Sequence, residues 1–192
     1  MTSAGSPEPR RSPHTAHIDA RSDETSSIRR PRVDEGIDLW RIARDSETLD
    51  LNSSYAYVLY ARDFAATCRI ALVDDRPAGY VLAYRRPSDP SCLFVWQVAV
   101  DESARGLGLA GRMLDDLIRD DAVTPPVRML QTTITDDNAA SQQLFRSFAR
   151  RWDDAPMTVT PLFESIHLTP ADGSETVHAP ERLYEIGPPG IR

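Results

Sequence analysis

Residues 93–110 constrain this chain more than any other stretch. Leu93-Phe94-Val95-Trp96-Gln97-Val98-Ala99-Val100 is an apolar run broken only by Gln97, and Asp101 ends it. A run of that length and character reads as a buried strand. It leads into Arg105-Gly106-Leu107-Gly108-Leu109-Ala110, which opens a helix to about Asp120. A strand that enters a helix through a glycine-containing turn aims several main-chain N–H groups, and the positive end of the helix dipole, at one point. Such a point is suited to a pyrophosphate. Gly106 and Gly108 let the main chain approach phosphates with no Cβ in the way.

The elements around this unit set the fold class. Asp38 to Ser46 reads as a helix with Leu39, Ile42 and Ala43 on one face. Ser53 or Ser54 can cap a second helix through Tyr57 to Asp63. Cys68–Val73 and Ala78–Tyr84 read as two strands joined by the turn Asp74-Asp75-Arg76-Pro77. Two prolines and two arginines make Arg85 to Pro90 a loop. Beyond the central unit, Pro125 and Pro126 stop the chain, Arg128–Ile134 is a strand, and Asp136-Asp137-Asn138 opens a helix through Ala149. Val159 and Leu162-Phe163 belong to another strand, and Tyr184–Ile186 to an edge strand. Helices, a hairpin, then strand–helix–strand–helix predict a single α/β domain with a mixed sheet. Residues 1–32, rich in Ser, Pro and Arg and without apolar periodicity, read as a disordered N-terminal tail, which leaves 33–192 as the domain.

Charge and cysteine content exclude several functions. The net charge is −7; residues 1–32 hold six Arg and four Asp/Glu, a net of +2, so the rest carries −9. An acidic domain is a poor nucleic-acid binder. All 22 basic residues are Arg, so Schiff-base lysine chemistry is closed to this chain. Cys68 and Cys92 have no metal-ligand spacing and read as packed, reduced thiols; no metal site is expected. No apolar run approaches the roughly 18–20 residues needed to cross a bilayer. The N-terminus lacks the apolar segment of a secretory signal, so a soluble, cytoplasmic protein is expected, without membrane or nucleic-acid partners.

Three ligands compete for the glycine turn. A dinucleotide fold wants its glycine fingerprint after an early strand, and here it comes beyond residue 100. A P-loop requires a lysine that the chain does not have. A coenzyme A pyrophosphate loop remains, against the bland alternative of a structural strand-to-helix turn. Arg105-Gly106-Leu107-Gly108-Leu109-Ala110 resembles the R/Q-x-x-G-x-G/A signature of the GCN5-related N-acetyltransferases (GNAT), with the hydrophobic strand before it and Asp137-Asn138-Ala139-Ala140-Ser141 about thirty residues later. Within that superfamily, Leu49-Asp50-Leu51-Asn52-Ser53-Ser54-Tyr55-Ala56-Tyr57, the strand 93–101 and Thr132–Ser141 resemble the diaminobutyrate acetyltransferases of ectoine biosynthesis. The likeness covers roughly Val33 to Ile186.

The resemblance implies a GNAT-type mixed, splayed central β-sheet flanked by helices, with acetyl-CoA lying in the gap as acetyl donor. It implies main-chain cofactor contacts at Gln97, Val98 and Val100, a pyrophosphate on the N–H groups of Arg105, Gly106, Leu107, Gly108, Leu109 and Ala110, and Asn138 on the pantetheine arm. Val98 N–H would stabilise the oxyanion. The position where many members carry a proton-donating Tyr is Phe145 here, which leaves Tyr55, Tyr57 or solvent to protonate the thiolate. For the substrate L-2,4-diaminobutyrate, acetylated on its 4-amino group, the candidates are Asp50, Asn52, Trp96 and Glu181; a solvated carboxylate is the competing account of Glu181, and a helix cap that of Asp50. His178 reads as a surface residue. A homodimer is implied by resemblance alone. Acetylation of another small diamine or amino acid, acetylation of a protein N-terminus, and a non-catalytic acyl-CoA-binding module stay open as alternatives.

Overall fold

The computed structural model describes residues 25–47, 49–120, 122, 124–170 and 178–188. Among them seven strands form one sheet: β1 (Ser26–Arg29), β2 (Arg69–Val73), β3 (Arg76–Arg86), β4 (Asp89–Val100), β5 (Met129–Thr135), β6 (Met157–Phe163) and β7 (Glu181–Ile186). Helices are α1 (Gly36–Ser46), α2 (Ser54–Asp63), α3 (Leu109–Arg119), α4 (Ala139–Arg151) and the short α5 (Ser165–Leu168). The spatial order is β1-β2-β3-β4-β5-β7-β6. Every neighbouring pair is antiparallel except β4–β5, where α3 is the crossover that a parallel pair requires.

Strand alternation sorts the core into two layers. Ile70, Leu72, Tyr80 and Leu82 pack under Leu39, Ile42 and Ala43 of α1 and Tyr57 and Ala61 of α2. Ala71, Val81 and Ala83 pack on the opposite face with Leu109, Met113, Leu114 and Leu117 of α3 and Phe145 and Phe148 of α4. Each of the four α3 side chains contributes about 1.5–3 kcal/mol by burial. On the first face α1 and α2 cross in backbone contact. A Cβ on Gly36 would lie 2.7 Å from Val58 Cα, so only glycine fits there.

Several expectations need correction. Ser26–Arg29, placed in the tail, forms β1 and pairs with Ile70–Val73 of β2, so the domain starts before residue 33. With Ile28 as its one apolar residue the strand carries little apolar signal; its ladder with β2 and the packing of Ile28 on the core hold it. The rest of the expected tail, residues 1–24, lies outside the described residues. Arg85 to Pro90 is not a loop: β3 runs to Arg86 and β4 starts at Asp89, pairing Arg86 with Asp89. The two prolines are accommodated because β4 pairs with β5 only from Cys92 onwards. Tyr184–Ile186 belongs to β7, which lies between β5 and β6; the edge is β6. The turn after β2 is Asp74-Asp75, both at positive φ (48° and 61°), as a two-residue hairpin of aspartates allows.

α3 is locked to the sheet by a buried cation. Arg69 of β2, 1% exposed, donates to Asp116 and to Asp120 (2.6 Å) and to the Cys68 carbonyl (2.8 Å). Arg30 donates to the same Asp120 Oδ2 (2.7 Å). The Arg30 hydrogen bond, above all, holds the Asp120 carboxyl below the usual carboxylate range. A depressed carboxylate stabilises the fold above its unfolded-state pKa of about 3.9, and that contribution fades as pH falls through the lower folded value. Asp120→Asn is therefore expected to lower stability at pH 7 while flattening its decline below about pH 4. Urea unfolding across pH 3–7 checks this; parallel wild-type and variant curves would refute it.

Candidate active site

A single irregularity in β4 builds the site. Leu82 of β3 pairs with Gln97 and Ala83 with Val95, so Trp96 is an extra residue, a β-bulge. Before it, Leu93 and Val95 face α3 and α4; after it, Val98 and Val100 do. The shift turns two consecutive side chains, Trp96 and Gln97, toward the α1–α2 face. Trp96 stacks on Tyr60 of α2 with ring centroids 4.9 Å apart. Gln97 donates from Nε2 to the Asp50 carbonyl (3.2 Å) and accepts from the Tyr80 hydroxyl (3.1 Å).

At the same point β4 leaves β5. Their pairing covers Cys92–Val95 against Met129–Thr132 and then stops. β5 continues to Thr135 bonded only to β7, while β4 continues to Val100 bonded only to β3. The expected splay is present as a cleft of about 830 Å³ whose lining includes Val98, Val100, Arg105, Thr135, Asn138 and Leu144. Asp101 N–H bonds the Ala78 carbonyl at 2.8 Å, on the β3 side. By alternation Ala99 and Gln97 also direct their main-chain groups to β3, and Val98 and Val100 direct theirs into the gap. Val98 and Val100 thus line the cleft, whereas Gln97 pairs its main chain with β3 and turns its side chain to the α1–α2 face.

The cleft ends on the glycine turn. Gly106 (φ 86°) and Gly108 (φ 69°) are both left-handed, and a Cβ at either would meet nothing within 4 Å. Gly108 is the N-cap of α3 and supplies no side-chain cap. Among the described residues, no group accepts from the N–H of Gly106, Leu107, Gly108, Leu109, Ala110 or Gly111. Unbonded N–H groups at the positive end of a helix dipole are the cradle-like arrangement an anion prefers, and Arg105 and Ala110 on either side of the turn line the cleft. Arg105 departs from expectation: its N–H is bonded to the Glu102 carbonyl (3.2 Å), which leaves its exposed side chain, on the cleft wall, as the part able to meet a phosphate. The turn is pinned at its start by Arg41 of α1, which grips Asp101 with two bonds (3.2 and 3.0 Å) and the Pro77 carbonyl (2.9 Å).

On the opposite wall Asn138 is the N-cap of α4, its Oδ1 accepting from Ser141 N–H at 3.0 Å. Only its amide nitrogen remains for a ligand. Phe145 is buried in the core. Tyr57 is fully buried beside Tyr80, its hydroxyl without a well-formed hydrogen bond among the described residues, and Tyr55 is 68% exposed on α2; neither lines the cleft. The expected thiolate acids are thus not brought to it. Burial pushes the Cys68 thiol up to about 12 and the Cys92 thiol up to about 11, so neither offers a thiolate nucleophile.

The substrate candidates gather at one end of the sheet. Asp50 is not the helix cap, which is Ser53; its carboxylate is 79% exposed and 3.7 Å from His178 Nδ1. Asn52 Nδ2 bonds the Asp50 carbonyl (3.3 Å). Glu181 opens β7 opposite Thr135 on the cleft wall. His178, expected at the surface, is half-buried and joins these groups, its N–H bonded to Thr169 Oγ1 (3.1 Å). The wall residues Ser46, Leu49, Thr135 and Leu144 escaped sequence analysis, because only the three-dimensional meeting of α1, β5 and α4 puts them on one cavity. Among the described residues, no three His, Cys, Asp or Glu side chains group to hold a metal.

A sequence profile of the acetyltransferase (GNAT) family matches residues 36–149. The L-2,4-diaminobutyric acid acetyltransferase of Streptomyces coelicolor is 51% identical over 164 residues, 84% of this chain and 92% of that one. The corresponding Halomonas elongata protein is 40% identical over 84% of this chain and 80% of its own. Among solved structures, a diaminobutyrate acetyltransferase from Paenibacillus lautus, in complex with its substrate L-2,4-diaminobutyric acid and coenzyme A, superposes with a TM-score of 0.79 at 38% identity, covering 86% of this chain and 96% of that one.

Gly108→Trp projects a side chain into open space at a left-handed position. It is expected to cost about 1–2 kcal/mol of stability and to weaken coenzyme A binding by at least about tenfold, because a Cβ there blocks main-chain approach. Calorimetric titration reads the second effect; undiminished affinity in the folded variant would displace the cradle. Tyr57→Phe removes a buried hydroxyl without a well-formed hydrogen bond and is expected to keep turnover within about twofold and stability unchanged or higher. A large loss of kcat would restore Tyr57 as an acid.

Proposed function

The chain belongs to the acetyltransferase (GNAT) family, in its diaminobutyric acid acetyltransferase branch, and from that premise we infer that it transfers an acetyl group from acetyl-CoA to the 4-amino group of L-2,4-diaminobutyrate. The observation that carries this is the cleft where the free edge of β4 meets the unbonded N–H groups of residues 106–111. Acetyl-CoA supplies an activated thioester; the chain supplies its placement. The N–H groups of residues 106–111 hold the pyrophosphate, with the Arg105 side chain beside it. Val98 and Val100 pair with the pantetheine arm as a neighbouring strand would. The Asn138 amide nitrogen serves the same arm.

An aliphatic ammonium has a pKa near 10, so the amine must give a proton to water or a nearby carboxylate before it attacks. Val98 N–H, directed into the gap, donates to the carbonyl oxygen as charge grows on it, in a place already formed for that purpose. Asp50, Asn52 and Glu181 hold the amino-acid end, and Trp96, fixed against Tyr60, lies along the short aliphatic chain. Holding that end apart from the thioester is what selects one of two amines. With Tyr55 and Tyr57 off the cleft, solvent protonates the departing thiolate, which is a good leaving group.

The reaction belongs to ectoine biosynthesis, before ring closure. Among the described residues no helix is long and apolar enough to cross a membrane, and a cytoplasmic site fits a small-metabolite enzyme. The outer edge of the sheet supports a homodimer: β6 exposes Val159, Leu162 and Phe163, and Ile166 beside it is 82% exposed.

A thiol-release assay with diaminobutyrate, ornithine, lysine and putrescine tests the activity. Diaminobutyrate is expected to give the highest kcat/KM, and equal rates across the panel would count against this assignment. Asp50→Ala is expected to raise the diaminobutyrate KM by about tenfold or more through a lost charge-assisted contact, with the acetyl-CoA KM nearly unchanged.

A further inference from the structure

The segment between α1 and α2 carries Asp50 and Asn52 but has no ladder or helix to fix it. Among the described residues, the hydrogen bond that ties it to the sheet is Gln97 Nε2 to the Asp50 carbonyl at 3.2 Å. That carbonyl also takes Asn52 Nδ2 at 3.3 Å, so one oxygen gathers both the sheet and the neighbouring substrate candidate. Gln97 is 6% exposed and reaches this face only because the bulge at Trp96 reverses the alternation of β4. Its orientation is set from beneath. Tyr80, fully buried, donates its hydroxyl to Gln97 Oε1 at 3.1 Å. Burial pushes the Tyr80 pKa well up, so that hydroxyl stays protonated and acts as a donor. A donor on the oxygen forces the amide nitrogen toward Asp50. Tyr57 packs edge-on against Tyr80, ring centroids 6.2 Å apart, and restrains it.

We propose that Gln97 is a positioning residue for the amine: with Tyr80 it sets the distance between the Asp50–Asn52 segment and the main chain of Val98, the next residue along the same strand. It rests on the assignment of Asp50 and Asn52 to the amino-acid end of diaminobutyrate. The acyl donor is held by residues 98–111 and does not pass through Gln97. The amine is held by a segment whose placement does. A substrate of four carbons leaves little slack between its two anchoring points, so a small displacement of Asp50 moves the reacting amine off line.

The test is a separation of the two Michaelis constants. Gln97→Met keeps the volume and removes both hydrogen bonds. Tyr80→Phe removes one hydroxyl and leaves the amide free to turn. Steady-state thiol release is measured with each substrate varied in turn, alongside thermal melts. Gln97→Met is expected to raise the diaminobutyrate KM about tenfold, and Tyr80→Phe about threefold, with the acetyl-CoA KM within about twofold of wild type. A diaminobutyrate KM within twofold of wild type in both folded variants overturns the proposal. So does a parallel rise of both constants, which marks general damage to β4. Should Gln97→Met not fold, Tyr80→Phe decides alone. Wild-type protein that fails to acetylate diaminobutyrate overturns the function and this role together. A normal wild type with unmoved variants overturns only the role of Gln97.

Discussion

β4 is bonded along its length on one side and over only four residues on the other. The cleft follows from that asymmetry. A central strand with a missing partner carries main-chain donors and acceptors that must be satisfied by something, which is the setting in which an extended ligand adds as a neighbouring strand. The bulge at Trp96 coincides with the loss of pairing because an extra residue increases local twist and swings the strand out of register with β5. One inserted residue thus marks the point where the cleft opens beside β4 and turns Trp96 and Gln97 toward the α1–α2 face.

The opening would be useless if its walls drifted, and polar contacts hold each wall. Arg41 fixes Asp101 where β4 ends. Arg69 fixes α3, whose N-terminus is the cradle, through Asp116 and Asp120. Asn138 fixes the start of α4. A buried ion pair adds little net stability, but it specifies one arrangement, and the cradle requires one arrangement of α3 on β2. The arginine-only composition suits this use, since a guanidinium binds two carboxylates and a carbonyl at once.

The strand, turn and helix that bound the cleft were legible in the sequence because their determinants are local: an apolar run, glycines at 106 and 108, an amphipathic segment. Gln97, Val98 and Val100 were drawn together from the family resemblance, and the bulge at Trp96, which no residue in Phe94–Val98 announces, is what turns Gln97 to the other face. β1 was missed because Ser26–Arg29 has no apolar pattern. The hairpin turn at Pro87-Ser88 was taken for a longer loop because prolines are read as breakers, and at the free end of a strand they break nothing. Tyr55 and Tyr57 look alike in sequence, and only packing places one outward and the other in the core. The candidate substrate residues depend on segments 49–52 and 178–181 meeting in space, which no local signal encodes.

The cradle at residues 106–111 is made of amides, and every amino acid but proline brings the same amide. Substitution can therefore erase very little of it. In a scan of that turn, loss of donor binding should concentrate at the two left-handed glycines and at any proline introduced, with wide latitude elsewhere. Such a turn keeps its donors through most changes of side chain, unlike a wall built from carboxylates or aromatic rings, where each replacement removes the group itself.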